Sequence, residues 1–380
     1  MDKKNKRNKP YLLAVIGAGE GGRPILHKAQ ELCYIRTIAF GQEGSLAKDL
    51  ADDFVICDIN DVDHIVALCK EREVDGVIGT SESTTEQTAI IAHRLGLLGN
   101  SVSDGFGARN KYEMRKRIAA AGCVLQPHFE LYKPGKEYAY PVVVKAVDSC
   151  GKRGVSIVRN RGELLDAVTY AAEFSTGGTV LVEEYLAGGK EYSIECLIGS
   201  GCCEIVQYTE KESSGPPHFV EIAHHQPADI SDENKKKIDE IVPRILSTLG
   251  IRCGLAHLEL KVIDNEVYFI EVGARGGGDH IADTLTVGST DFDLFKAAIE
   301  SCLGLYKHQE IHTVAHTGIY FHCSQNRYLA PLFEAAKTAE WCISNTITSE
   351  LFEEVESNVG TARSGYIIYR SDHKITNKDA

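Results

Sequence analysis

Short apolar runs alternate with amphipathic segments in the first part of the chain. The apolar runs lie at residues 11–17, 36–40, 54–57 and 74–80. Between them, segments such as 61–73 and 84–96 carry apolar residues three or four positions apart, the period of an α-helix. Strands that alternate with helices are typical of a parallel sheet covered on both faces. The pattern therefore predicts a doubly wound α/β fold for this part of the chain.

Farther along, the pattern changes to the period of two that strands show. A helix is predicted at 108–123, and the next strands at 140–147, 154–160, 179–186 and 191–199, with one helix at 161–173. Residues 203–226 carry strand-like pieces around a Ser-Ser-Gly-Pro-Pro stretch, which predicts a mobile loop. With 380 residues, the chain exceeds the size of a single core, so two or three domains are expected.

Charge and cysteine content narrow the possible partners and location. Asp plus Glu number 54 against 41 Lys plus Arg, a net charge of −13, whereas nucleic acids and anionic membranes bind basic surfaces. Neither is therefore expected as a partner. No apolar run reaches the roughly 18 residues of a membrane span. The 12 cysteines contain no C-x-x-C pair, which favours reduced thiols in a cytoplasmic protein.

A glycine motif follows the first predicted strand. Gly17, Gly19 and Gly22 have the G-x-G-x-x-G spacing of a dinucleotide-binding turn. Such a site also needs an acid about 20 residues farther on, at the end of the second strand. That strand ends in Gly41-Gln42, and Glu43 is the only acid close by. An NAD(P)-dependent oxidoreductase therefore stays a remote alternative.

Two carboxylates are more informative. The predicted strands 257–263 and 267–273 flank a turn of Asp264-Asn265-Glu266, and a hairpin centred on Asn265 places Glu259 opposite Glu271. Opposed side chains lie about 5 Å apart, and like charges there repel unless a cation lies between them. Carboxylate oxygens suit Mg²⁺ or Mn²⁺, which also takes phosphate oxygens. The alternative is a solvated hairpin neutralised by Lys261.

Residues that could contact a nucleotide precede this hairpin. Lys145 ends an apolar strand, and the loop after it contains Gly151 and Gly154. Such glycines let backbone N–H groups approach phosphate, and the lysine adds positive charge. Acids in the stretches "VEEYL" and "KEYSIE" could accept hydrogen bonds from adenine and ribose. Together these features predict a nucleotide site.

Four stretches in this order resemble the ATP-grasp superfamily, in particular its carboxylate–amine ligases. They lie at 110–129, 140–158, 180–198 and 254–281. Similar proteins include L-amino-acid ligases, glycinamide-ribonucleotide enzymes and the halves of the carbamoyl-phosphate synthetase large chain. The resemblance implies three domains: an N-terminal α/β domain at 1–105, an ATP-grasp domain at 106–310 and a C-terminal cap at 311–380. Residues 115–187 would form a smaller lid subdomain of the ATP-grasp domain.

The resemblance also implies roles for individual residues. The ATP phosphates would be held by Lys111 and Lys145 under the loop 149–155, with Ser149, Gly151 and Gly154. The remaining ATP contacts would be Glu183 or Glu184 and the Leu186 backbone at adenine, and Glu191 at ribose. Mg²⁺ (or Mn²⁺) would be bound by Glu259 and Glu271, and the substrate carboxylate or its acyl phosphate by Arg275.

Two positions depart from the family pattern. Gly273 replaces an asparagine that often binds the metal, so water could complete the metal shell. Glu184 stands where some relatives carry lysine, which leaves the adenine contact open between Glu183 and Glu184.

The expected reaction follows from the resemblance. ATP would phosphorylate a small carboxylate, such as that of an amino acid, and an amine would displace the phosphate to give an amide. The alternative within the superfamily is an enzyme that phosphorylates bicarbonate, like a carboxylase or a carbamoyl-phosphate synthetase. The loops 149–155 and 207–226 are candidate lids that exclude water.

Further residues are candidates for contact with the small-molecule substrates. His257 shares a face with Glu259, Gly277 and His280 belong to or follow the glycine run, and His224 and His225 lie on the far side of the predicted loop. A homodimer is a further expectation, because dimers are frequent among relatives.

Overall fold

The computed structural model describes residues 9–102, 107–151, 153–199, 201–215, 219–352 and 363–380. The strands of the described residues form three sheets, two with four strands and one with eight. Lys152, which belongs to the predicted loop 149–155, and residues 216–218 of the predicted loop 207–226 lie outside the described residues.

The first sheet is the predicted parallel α/β layer. Its elements are β1 (Tyr11–Ile16), α1 (Arg23–Glu31), β2 (Ile35–Gly41), β3 (Asp53–Ile56), α2 (Val62–Glu71), β4 (Gly76–Gly79) and α3 (Thr85–Leu95). The strands are parallel in the order β3-β2-β1-β4. Leu13 and Val15 pack with α1, whereas Ala14 and Ile16 pack with α2 and α3. Both faces are buried, which explains the continuous apolar run of β1.

Packing alone accounts for two of the three fingerprint glycines after β1. Gly17 has φ +94°, and a Cβ there would lie 2.8 Å from Oγ1 of Thr80. A Cβ on Gly22 would lie 2.9 Å from the Gly17 carbonyl oxygen. Nothing lies within 4 Å of a Cβ built on Gly19. The tight approach of this turn to the end of β4 therefore requires glycine at two positions without any dinucleotide.

The second sheet is antiparallel and has the order β5-β8-β6-β7. Its elements follow α4 (Lys111–Ala121) and are β5 (Phe129–Leu131), β6 (Val142–Ala146), β7 (Val155–Val158), α5 (Arg161–Glu173) and β8 (Val180–Glu184). Asn160 caps α5 by accepting from the Gly162 N–H at 2.9 Å. The apolar side of α5 packs on Val142, Val144 and Val182, which forms a separate small core.

The third sheet contains the remaining elements. These are β9 (Lys190–Gly199), β10 (Cys202–Ser213), β11 (Glu221–Gln226), α6 (Asp232–Thr248), β12 (Gly254–Ile263), β13 (Glu266–Gly273), α7 (Thr286–Thr290), α8 (Leu294–Cys302), β14 (His316–Phe321), α9 (Ala330–Ala335), β15 (Cys342–Asn345) and β16 (Tyr366–Ser371). The order is β13-β12-β9-β10-β11-β14-β16-β15. Ile194 and Leu258 point into a core with α4 and α6. Strand alternation places Glu191, Ser193 and Glu259 on the opposite face.

The strand-like pieces predicted within 203–226 are confirmed as two strands, which are longer than a lid over 207–226 allows. Residues up to Ser213 belong to β10, and those from Glu221 belong to β11. The two strands pair directly, with Lys211 opposite His224. Most of the candidate lid 207–226 therefore belongs to paired strands, and residues 216–218 lie outside the described part of the chain.

The predicted cap at 311–380 does not form a sheet of its own. Its strands β14, β16 and β15 continue the eight-stranded sheet beyond β11. The boundaries between the three predicted domains stay a prediction. No helix of the described residues is long and apolar enough to cross a membrane.

The β12–β13 hairpin confirms the predicted pairing of Glu259 with Glu271, although its turn differs from the predicted turn. Glu259 lies opposite Glu271, but Ile263 pairs with Glu266, so the turn has two residues instead of three. These residues, Asp264 and Asn265, have φ of 50° and 65°. A bulge after Glu259 restores the predicted pairing.

We predict that this turn depends on left-handed backbone at Asp264. Asp264→Val should lower the free energy of unfolding by about 1–2 kcal/mol, because a β-branched residue is strained at positive φ. Asp264→Gly should change it by less than about 0.5 kcal/mol. Urea denaturation of both variants checks this. Equal stability of the two variants would show that the turn conformation is not what holds the hairpin register.

Candidate active site

A cavity of about 570 Å³ lies between the two antiparallel sheets. Its volume is in the range of small-molecule sites. Nearly all the residues predicted to contact ATP or metal line it: Lys111, Lys145, Ser149, Gly151, Glu183, Glu184, Leu186, Glu191, Glu259 and Glu271. Gly154 is not among its lining residues; a Cβ there would lie 3.1 Å from Cβ of Phe174. The structure thus brings the predicted residues together, except that Gly154 packs against α5.

Lys111 connects two parts of the site. It is the first residue of α4, and its ammonium group donates to the Ser149 carbonyl at 2.6 Å and lies 3.4 Å from Glu271. Burial would lower the pKa of Lys111, but the charges of Glu271 and Glu82 outweigh it and raise the pKa. The side chain therefore stays cationic although it is buried.

Lys145 belongs to a buried charge network that the sequence did not predict. Glu183 lies 2.7 Å from Lys145 and 2.7 Å from Arg115, and Arg115 also donates to the Phe269 carbonyl at 2.9 Å. Arg115 is only 1% exposed. Burial lowers the pKa of Lys145, and the charge of Glu183 offsets this only in part.

The signal for Arg115 was present in the sequence. Lys111, Met114, Arg115 and Ile118 follow the i, i+3, i+4, i+7 spacing of the buried face of α4. Two charged residues on such a stripe need buried partners, and those partners come from β8 and β13. Spacing along one helix cannot identify them, because they lie far away in the chain.

The opposed carboxylates lie at one end of the cavity. Lys211 donates to Glu259 at 2.7 Å and lies 2.8 Å from Glu221. Burial would raise the pKa of Glu259, but Lys211 and His257 outweigh it and lower the pKa well below its usual value. Two carboxylates on neighbouring strands are the hard donors that Mg²⁺ prefers, so the residues fit this ion. Lys211 was not among the predicted site residues, because the stretch that contains it was interpreted as a candidate lid.

The other end of the cavity has the lining expected for a nucleoside. Val143 and Tyr185 are among the residues that line the cavity. The Leu186 carbonyl accepts from the Lys261 ammonium at 2.9 Å, and Lys261 lies 3.5 Å from Glu191. Lys261 thus neutralises Glu191, not the metal pair as the alternative reading of the hairpin supposed.

The glycine run after β13 packs tightly on a buried pair. The Gly277 N–H donates to Glu195 at 2.9 Å, and a Cβ on Gly277 would lie 2.7 Å from both Glu195 Oε1 and His257 Nδ1. Burial would lower the pKa of His257, but its hydrogen bond to Glu195 and the carboxylate of Glu259 raise it to about 9. Glycine is therefore needed at position 277 because Glu195 and His257 leave no room for a side chain there.

Arg275 forms an ion pair with a residue of the N-terminal part of the chain. Its guanidinium donates at 3.0 Å to Glu82, which follows β4 of the parallel sheet. Burial would lower the pKa of Arg275, but Glu82 outweighs it and raises the pKa. The pair fixes the glycine run against the first sheet, and Glu82 was not among the predicted site residues.

The remaining histidines lie on ordered elements. His224 and His225 are buried on β11 and not on a loop, so that expectation was wrong. His225 Nδ1 lies 3.0 Å from the Tyr369 hydroxyl, on the side of the sheet away from the cavity. His280 lies 3.4 Å from Asp283, and its ring centroid is 4.7 Å from that of Tyr366.

Comparisons with known proteins agree with this geometry. Residues 138–283 match the model of the ATP-grasp domain. A formate-dependent phosphoribosylglycinamide formyltransferase of Methanocaldococcus jannaschii is 26% identical over 307 residues, covering 77% of this chain and 76% of the relative. A dapdiamide A synthase of Enterobacter agglomerans is 24% identical over 299 residues, covering 72% and 69%.

Solved structures resemble the whole fold. An L-amino acid ligase from Bacillus licheniformis superposes with a TM-score of 0.78 at 22% identity, covering 97% of this chain and 95% of that chain. An ADP complex of an N5-carboxyaminoimidazole ribonucleotide synthetase superposes with a TM-score of 0.74 at 16% identity, covering 96% and 94%. The predicted fold and the resemblance to the superfamily are confirmed.

We predict that the Glu183 network makes stability fall in acid. Burial would raise the pKa of Glu183, but Arg115 and Lys145 lower it from 4.5 to about 2. The group therefore stabilises the folded protein above its unfolded pKa, and this contribution is lost as the pH falls from 4.5 to about 2. The lost contribution should be about 3 kcal/mol. Urea denaturation at several pH values measures it.

The variant Glu183→Gln separates this effect from other carboxylates. It should be less stable by about 3–5 kcal/mol at neutral pH, because Arg115 and Lys145 stay buried without their anion. It should also show a weaker loss of stability in acid. Glu184→Gln, at the exposed neighbouring position, is the control. An unchanged acid profile in Glu183→Gln would exclude Glu183 as the group responsible.

Proposed function

We propose that this chain, a member of the ATP-grasp superfamily through its central domain, is an ATP-dependent carboxylate–amine ligase. It phosphorylates a small carboxylate, with an amino acid as the favoured class, and transfers the acyl group to an amine. The observation that carries the proposal is the pair Glu259 and Glu271, opposed at one end of a cavity that also contains Lys111 and Lys145. Relatives named as an amino acid ligase and a dapdiamide synthase support it.

ATP is assigned to the cavity with its base at the apolar end. Val143 and Tyr185 would contact adenine, near the backbone of Leu186. Glu191 would accept from the ribose hydroxyls. Because Arg115 and Lys145 already occupy the Glu183 carboxylate, we assign Glu183 to orienting Lys145 and leave the adenine edge to Glu184 or to backbone groups.

The phosphates then extend toward Lys111 and Lys145. Both ammonium groups are buried and have carboxylate partners, so their positions are fixed before ATP binds. Ser149 and Gly151 line the same end, where backbone N–H groups can approach phosphate oxygens. Glu259 and Glu271 would hold Mg²⁺ (or Mn²⁺), which supplies Lewis-acid stabilisation of the charge on the transferred phosphoryl group.

The chemistry follows from the charges. The carboxylate oxygen attacks the γ-phosphorus of ATP, and the bond to the bridging oxygen breaks, so that ADP leaves and an acyl phosphate forms. Lys111, Lys145 and Arg275 offset the negative charge that the carboxylate and the phosphates bring together. An amine then attacks the carbonyl carbon, and inorganic phosphate leaves.

The experiment that tests this function measures ADP release across a panel of amino acids, other small carboxylates and bicarbonate. Hydroxylamine is included because it converts an acyl phosphate into a stable hydroxamate. Carboxylate-dependent ADP release together with hydroxamate supports the ligase. ADP release with bicarbonate alone supports the carboxylase-like alternative, and ADP release with none of these contradicts the proposed function.

We predict that Glu271→Gln lowers the Mg²⁺-dependent rate of ADP release by on the order of a hundredfold or more, because one anionic metal ligand is lost. Initial rates at several Mg²⁺ and Mn²⁺ concentrations measure the loss. Glu266→Gln, an exposed acid on the same strand, is the matched control and should keep the wild-type rate. Full activity of Glu271→Gln would contradict the metal assignment.

Arg275 gives a second prediction, on the carboxylate substrate. Arg275→Lys keeps the charge but loses the planar fork that binds a carboxylate with two hydrogen bonds. The KM for the carboxylate should rise by about tenfold or more, with a smaller change in the KM for ATP. Arg244→Lys, exposed on α6, is the control. An equal rise in both KM values would indicate a general disturbance of the site.

A further inference from the structure

A second polar group of residues borders the predicted metal pair. Lys211 donates to Glu259 at 2.7 Å and lies 2.8 Å from Glu221, so the two carboxylates are neighbours of one ammonium group. Beyond Glu221 lie His224 and Asp279, with His224 Nε2 3.3 Å from Glu221 and 3.9 Å from Asp279. We call Glu221, His224 and Asp279 the acceptor cluster. Their ligand atoms lie within 4.8 Å of one another.

The ring nitrogens of His224 could still hydrogen-bond to a ligand. The side chain is fully buried; among the described residues Nδ1 has no hydrogen-bond partner, and Nε2 lies 3.3 Å from Glu221 without the geometry of a hydrogen bond. A buried polar group without a partner is unfavourable, so such groups in native proteins need an explanation. A hydrogen-bonding ligand between His224 and the two carboxylates supplies one.

The charges around the cluster distinguish two kinds of ligand. Lys211 lies against Glu221, and Arg363 donates to both oxygens of Asp279 at 3.1 and 3.0 Å. A divalent metal ion would have to displace Arg363 from the Asp279 oxygens, whereas an N–H donor can share a carboxylate oxygen with it. Glu221 and Asp279 balance Lys211 and Arg363, so a monovalent cation adds less uncompensated positive charge than a divalent one.

An alkylammonium group also matches the geometry. It has three N–H donors, and the cluster offers two carboxylates and an imidazole nitrogen as acceptors. Lys211 contacts both Glu221 of the cluster and Glu259 of the metal pair. A ligand at the cluster would therefore lie beside the proposed position of the acyl phosphate. The nucleophile of the proposed reaction is an amine.

We propose that the acceptor cluster binds the amine substrate as an ammonium ion and that His224 accepts its first proton. This inference rests on the proposed ligase function. A ring nitrogen of His224 takes one proton from the ammonium nitrogen, whose freed electron pair forms the C–N bond at the carbonyl carbon. The C–O bond to phosphate breaks, and the second N–H proton leaves with the phosphate. The products are an amide, hydrogen phosphate and a protonated His224.

Hydroxylamine separates the amine site from the phosphorylation site. It is uncharged at neutral pH and, at high concentration, intercepts an acyl phosphate without an ammonium site. The readout is the rate of amide formation divided by the rate of hydroxamate formation. The amines are the standard L-amino acids, ammonium chloride and simple alkylamines, and the variants are Asp279→Asn and His224→Gln. Glu204→Gln, a partly buried carboxylate on β10 bonded to Tyr306, is the matched control.

Both variants should lower the ratio of amide to hydroxamate by about a hundredfold. Asp279→Asn removes a carboxylate that accepts from the ammonium group, and His224→Gln removes the group that accepts its proton. Glu204→Gln should keep the wild-type ratio. An unchanged ratio in both variants overturns the proposal, as does a wild-type enzyme that forms hydroxamate but no amide with any amine of the panel. A stoichiometric metal ion that elemental analysis finds in the wild type but not in Asp279→Asn also overturns it. Absence of hydroxamate from the wild type with every carboxylate rejects the ligase function itself.

Discussion

The opposed carboxylates of Glu259 and Glu271 are the constraint on which the site depends. Paired strands hold them at a distance at which like charges repel, so positive charge has to be brought to them. In the structure that charge comes from Lys111 on α4 and Lys211 on β10. These lysines reach the pair from opposite sides of the cavity. The repulsion thus explains why a helix and three strands of the eight-stranded sheet converge at this point.

The parallel layer could be predicted almost completely from the sequence, whereas the eight-stranded sheet could not. In the parallel layer, element type follows from local period, and each strand is bounded by its own glycine or polar turn. In the large sheet, the sequence around Ser-Ser-Gly-Pro-Pro alternates polar and apolar residues as a strand does. The turn-forming residues of that stretch nevertheless favoured a lid over the whole region. The alternation of Thr209 and Lys211 was therefore lost, and with it the cation that neutralises Glu259.

The hairpin shows that a correct pairing can rest on an incorrect turn. The predicted turn had three residues, whereas the structure has two residues at positive φ and a bulge. Either difference alone would shift the register and turn Glu271 to the opposite face. Together they cancel, because the residue removed from the turn reappears in the bulge next to Glu271. Composition favoured the turn residues, but nothing in the local pattern marks the position of the bulge.

Buried charge was the least predictable feature, because its partners are distant in the chain. Glu183 neutralises Arg115 and Lys145, and Lys211 lies between Glu259 and Glu221. Every one of these side chains would be costly to bury alone, so each fixes the others in place. The network therefore places positive charge where phosphate is proposed to lie and carboxylate and imidazole acceptors where the amine is proposed to lie. Because Lys211 contacts both Glu259 and Glu221, the two proposed substrate positions would be neighbours on the polar face of one sheet.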